Sequence, residues 1–183
     1  MPLASLGVPT STPSLLADYW AVLGLIAERP THGYAIATLL ARDGQVGQVW
    51  TLERNEVYNT INKLIGLELV KEDGIEPGRG GPGRTLLRAT PAGRRQVRKW
   101  LGEPVEHVRD FRNLLLLKLL LLDRSRRDPT PLIDAQQAKL TSLLEGLEAE
   151  GDWADGFDRV VIQWRTTSCR AALEFLARVR PEA

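Results

Sequence analysis

One cysteine, one methionine and two histidines in 183 residues, with aromatics at only 6%, leave this chain poor in the side chains of catalysis and covalent bracing. A single thiol excludes a disulfide framework, and Cys169 is expected to be a buried, inert thiol. With only His32 and His107 beside it, no recognisable zinc site can be assembled, so no metal and no cofactor is expected. A phosphate loop ending in Lys-Ser/Thr, a nucleophile elbow and a His/carboxylate constellation are all missing, which argues against an enzyme. The longest leucine-rich run, positions 114–122, is broken by Lys118 and falls short of the ~20 apolar residues that span a bilayer. Residues 1–13 are small and rich in Pro, Ser and Thr, without the basic and apolar regions of a signal peptide. A flexible tail and a cytoplasmic location are therefore expected.

Net charge is almost absent too, at +1, but it is unevenly spread. From Arg54 to Gly102 the chain carries ten Lys/Arg against five Asp/Glu, a net of +5. Residues 103–183 carry twelve against fourteen, a net of −2. The first half is basic where it would meet phosphate.

Within that basic half three elements follow one another. The segment 51–67, TLERNEVYNTINKLIGL, reads as a helix with Val57, Ile61, Leu64 and Ile65 on one stripe. Asn55, Asn59, Asn62 and Lys63 lie opposite, with Tyr58 on the border. The apolar stripe means only that the helix packs on a core. The polar face is more telling: Asn is a poor helix former, and a merely solvated face would favour Glu, Lys or Gln. Amide side chains pair bidentately with adenine in the major groove, and Lys reaches guanine or phosphate. Residues 70–90 then read as two short strands around a tip, EPGRGGPG (76–83), where four Gly and two Pro exclude helix. Arg79 sits at that tip, and Arg84 and Arg88 follow on the outgoing strand. Thr90-Pro91 is an N-cap with Pro at the first helical position, opening a helix that ends by Gly102.

The runs HGYAI (32–36), VYNTINKL (57–64) and GPGRTLLRATPAGRRQVRKWL (81–101) resemble the PadR family of bacterial transcriptional regulators. His32, Gly33 and Tyr34 fit its HGY motif. Tyr58, Ile61, Leu64, Leu69 and Val70 fit its recognition helix, and Arg84, Thr90, Gly93 and Trp100 fit its wing and following helix. The resemblance covers roughly residues 18–101. Three positions depart from the pattern: Glu68 stands where the family has Gly, Leu87 where it often has Tyr, and Ala89 where it has Leu.

The expected fold is mostly α with a small β-wing: an N-terminal winged helix-turn-helix at 14–102, after the 1–13 tail, and a C-terminal helical dimerisation region at 103–183. Before the recognition helix, residues 15–30 read as an amphipathic helix, and a second runs to Ala41 with Thr31 as its N-cap and Asp43-Gly44 as its close. Trp50 is expected in the core, and His32 as a packing or capping residue. Apolar stripes from Leu16 to Leu64 provide a small core for this half alone.

Residues 109–122 read as one helix, apolar nearly all round and hence buried on several sides. Another helix starts at Thr130-Pro131 with Ile133, Leu140, Leu143, Leu144 and Leu147 in a stripe. From Trp153, the residues Phe157, Val160, Trp164, Ala171 and Phe175 recur close to a coiled-coil spacing. Leu115, Leu119, Trp153, Phe157, Val160, Trp164 and Phe175 are the candidate dimer residues, since symmetric dimers are the commonest homo-oligomers and suit palindromic sites.

The family implies a homodimeric, sequence-specific DNA-binding regulator, in the first instance a repressor on a palindromic operator. Double-stranded DNA and a second copy of the chain are the expected partners. The candidate DNA contacts are Tyr34 and Arg54 beside the helix residues Asn55, Tyr58, Asn59, Asn62 and Lys63, with Arg79 and Arg84 from the wing. Many members respond to an aromatic or hydrophobic small molecule, for which the flat rings of Trp100 and Trp164 are candidate lining residues. The competing reading is a winged-helix module for protein–protein contact without specific DNA binding. The basic half speaks against it.

Overall fold

The computed structural model describes residues 16–77, 83–151 and 153–181; the N-terminal tail and the wing tip with Arg79 lie outside them. Helix α1 (Ala17–Glu28) is followed by a two-residue strand β1 (Thr31–His32), α2 (Gly33–Leu40), α3 (Arg54–Gly66), strands β2 (Val70–Glu76) and β3 (Arg84–Ala89), and α4 (Pro91–Gly102). The sheet is antiparallel in the order β1-β3-β2. This is a winged helix-turn-helix, as the patterning predicts.

Thr31 corrects one expectation. It is not the N-cap of α2 but pairs with Leu87 across the sheet, and His32 pairs with Leu86 and occupies the cap position itself. A two-residue strand has too little sequence to show a period of two, so nothing local announces it. Thr90 does cap α4, its Oγ1 accepting from Gly93 N at 3.1 Å. Gly93 is there for space, because a Cβ would collide with the Leu69 carbonyl oxygen to which Thr90 N also donates.

The departure at Glu68 is visible in the backbone. Its φ is 56°, the left-handed region where a side chain is strained and Gly is at ease. Leu69, Leu87 and Ala89 are buried beneath this turn and the sheet, so the other two departures are core choices rather than surface ones.

The C-terminal half does not begin as the expected single helix. Val108–Asp110 forms a 3-10 turn, Phe111–Leu115 a π-helical turn, and only Leu116–Arg124 is regular helix, α5. Helices α6 (Thr130–Gly151) and α7 (Gly156–Val179) then pair along their length. Cys169 is buried there, its thiol donating to Leu140 O at 3.3 Å.

The two halves share one apolar core, running from Ala21, Leu23 and Ile26 through Val97 and Trp100 to Leu117, Leu121, Leu132 and Leu176. Leu121 of α5 lies against Gly24 of α1, and Arg124 grips Glu28 through two bonds of 2.8 and 2.9 Å. Gln136 of α6 holds the backbone of Val105 from both sides, accepting from its N at 2.6 Å and donating to its O at 3.1 Å. The winged helix is therefore not sealed by its own residues alone. Leu115, assigned to a dimer interface by its place in the leucine run, is completely buried inside the protomer (0% exposed) and cannot reach a partner. Leu119 is half-buried and packs on the same core.

Candidate nucleic-acid interface

Helix α3 starts with Glu56 Oε2 accepting from Glu53 N at 2.8 Å, the acidic bracing expected at a helix N-terminus. Its inner face, Val57, Thr60, Ile61 and Leu64, is buried. Its outer face presents Asn55, Asn59, Asn62 and Lys63 to solvent, as the periodicity predicts. The four are not equivalent. Asn55 Oδ1 accepts from Glu56 N at 2.9 Å, so one half of its amide is committed to the helix start. Asn59 and Asn62 carry no such tie among the described residues. Lys63 leans toward α1, its Nζ 5.9 Å from the Tyr19 ring centre.

Beside this face sits a cluster assembled from three elements. Tyr34 of α2 has the Arg54 guanidinium 5.4 Å from its ring centre and the Arg84 guanidinium, from β3, at 5.7 Å. Arg54 also lies 6.0 Å from the ring centre of Tyr58. Both tyrosines and both arginines are exposed. Gly33 makes the arrangement feasible, since a Cβ there would sit 2.8 Å from the Tyr58 ring. An open depression of about 350 Å³ continues from Tyr34 and Arg54 along Thr38, Arg42 and Glu53.

The wing is anchored at its base. His32 Nδ1 lies 3.1 Å from Thr85 O and Nε2 lies 3.0 Å from Glu76 Oε2, so one ring touches both strands. The sequence marks His32 as a packing or capping residue, and it does occupy the cap position of α2; its tie to the wing has no local signal, because the partners are 53 and 44 residues away. Arg88 is drawn off by Asp73 at 2.5 Å, with Lys71 3.8 Å from the same carboxylate. Arg84 is the wing cation left outward among the described residues.

Of the two tryptophans expected to line an effector site, Trp100 is a core residue. It is buried, stacked on Trp20 with ring centres 4.9 Å apart and planes 5° from parallel. Lys118 Nζ lies 4.3 Å from its ring centre. Its ring is thereby committed to the packing between α1 and α4. Trp164, by contrast, is 73% exposed and borders a shallow surface hollow with Val160 and Gln163.

Residues 22–99, less than half of the chain, match the Transcriptional regulator PadR-like family. A Mycobacterium tuberculosis protein, "Probable transcriptional regulator Rv1176c", is 25% identical over 108 residues, covering 59% of this chain. The chain spans about half, 53%, of that relative's length. Among solved structures, Bacillus subtilis PadR in complex with operator DNA aligns over 89% of this chain and 97% of its own, at 16% identity and TM-score 0.45. Bacillus subtilis PadR in complex with p-coumaric acid aligns over 90% and 96%, at 17% identity and TM-score 0.43. No helix among the described residues is long and apolar enough to cross a membrane.

Proposed function

We propose that the chain is a cytoplasmic, homodimeric, sequence-specific DNA-binding repressor that holds a palindromic operator and is released by a hydrophobic or aromatic small molecule. The observation that carries this reading is the Tyr34–Arg54–Tyr58–Arg84 cluster lying beside the bare amide face of α3. Phosphate contacts position a protein on the duplex and base-edge contacts specify sequence. Arg54 and Arg84 suit the first task, with Arg79 at the wing tip added by its sequence position. Asn59, Asn62 and Lys63 suit the second. Two recognition helices in a dimer would engage half-sites about 34 Å apart, one helical turn.

Gel shifts with the DNA upstream of the protein's own coding region, at two salt concentrations, test it. Each neutralised phosphate contributes about −0.9 to the log–log salt slope, so Arg84→Ala should weaken binding to all sequences and flatten the slope by about 1 per protomer. Affinity insensitive to both salt and Arg84→Ala would overturn the assignment.

A further inference from the structure

Helix α7 has two working faces. One, comprising Thr166, Cys169, Ala172 and Leu176, is buried within the protomer. At ~100° per residue, the other gathers Phe157, Val160, Val161 and Trp164 from the first half of the helix into the same stripe as Ser168, Ala171 and Phe175 from the second. The two halves of that stripe differ in size and in cover. The first is bulky and bare: Phe157 is 76% exposed, Trp164 73%, and Trp153 just before the helix 90%. The second is mostly small, and beside it opens a cleft of about 330 Å³ between α7 and the irregular turns that precede α5. Val108, Phe111, Arg112 and Leu116 line it from one side, and Ser168, Ala172 and Phe175 from the other.

We infer that a second copy of this chain covers this face with its α7 running antiparallel, the two-fold axis passing at position 166. In that register the partner's Trp164 faces Ser168, the partner's Val161 faces Ala171, and the partner's Phe157 faces Phe175 and enters the cleft. All three pairs are centred on the same position. Two of them set a large side chain against a small one, the condition for close interdigitation. A parallel pairing would instead set each residue beside its own copy, Trp164 against Trp164, and leave the cleft empty.

Charge agrees with shape. Arg109 and Arg112 stand at the cleft, while Asp155 and Asp158 flank Phe157. Arg112 and Asp158 are both exposed and make no ion pair within the described residues of the protomer. An isologous interface forms each contact twice, so the match counts double. The inference rests on the homodimer reading and adds to it a register, a plug and a socket.

Sedimentation equilibrium of the full chain and two pairs of variants, each single and combined, tests it. Ser168→Trp and Trp164→Ser should each raise the dimer dissociation constant about tenfold or more, and the two together should recover most of the loss, since only contacting positions couple. Arg112→Asp and Asp158→Arg, at exposed sites that do not threaten folding, should behave in the same way, separately weaker and jointly restored. A dimer that forms normally but shows no recovery in either double variant overturns the register while leaving the homodimer standing. A chain that stays monomeric at all concentrations overturns both.

Discussion

Lys118 of α5 places its Nζ 4.3 Å from the ring centre of Trp100 and donates to the backbone carbonyls of Trp100 and, at 2.7 Å, of Glu103, at the end of α4. A single cation thus closes the last turn of the winged helix from the other half of the molecule, satisfying carbonyls that a helix end leaves unpaired. It is 3% exposed, and desolvation pushes its pKa down to about 8, against a smaller upward pull from Glu103. A folded pKa below the unfolded value of 10.5 means that the unfolded chain binds more protons between those limits, so this group's contribution to stability rises with pH from about 8 to 10.5. Burial of the Cys169 thiol raises its pKa and acts in the opposite direction at high pH. The stability difference between wild type and Lys118→Met, measured by urea titration at a series of pH values, isolates the lysine. It should shift in favour of wild type as pH rises through 8; a flat difference would mean that Lys118 titrates as in water.

At Glu68, replacing the side chain relieves backbone strain. Glu68→Gly should raise stability by about 0.5–1 kcal/mol, the left-handed penalty less the added freedom of Gly in the unfolded chain. Thermal melting reads this directly, and destabilisation would show that the φ of 56° is held by something the side chain itself provides.

The amides of α3 should separate in function. Asn59→Ala should cost ~1–3 kcal/mol on the operator and far less on random DNA, whereas Asn55→Ala should act mainly through loss of its bond to Glu56 N. Paired titrations on specific and random duplexes distinguish them. Equal losses of Asn59→Ala on both would reduce it to a backbone contact.

Tyr58 and His32 test the supports of the interface. Tyr58→Phe keeps the ring beside Arg54 and should be mild, while Tyr58→Ala removes it and should weaken DNA binding severely. His32→Ala cuts the side-chain tie from β1 to both wing strands, so amide exchange across Thr85 and Glu76 should accelerate while α1 and α3 keep their protection. Unchanged exchange there would show the wing base to be held by the β-ladder alone.

Much of this was legible in the sequence because its signals are short-range. The faces of α3 follow from spacing, the start of α4 from Thr90-Pro91, and the wing from Gly and Pro. What escaped lies in pairings made across long stretches of chain. Thr31 joins a strand 56 residues away, His32 reaches Thr85 and Glu76, and Leu115 turns inward into the core that both halves share. Composition marked the leucine run as buried, but not by whom. It equally hid that Lys118, read as an interruption, is one of the ties between the halves.

Tyr34 carries one further consequence. By offering Arg54 and Arg84 the same ring, it narrows the range of two of the longest, most mobile side chains before any duplex arrives. Part of the rotamer freedom they would otherwise lose on meeting DNA is then given up when the chain folds. A change such as Tyr34→Ala would leave every charge in place and still slacken the grip, with the deficit appearing as a less favourable entropy of association.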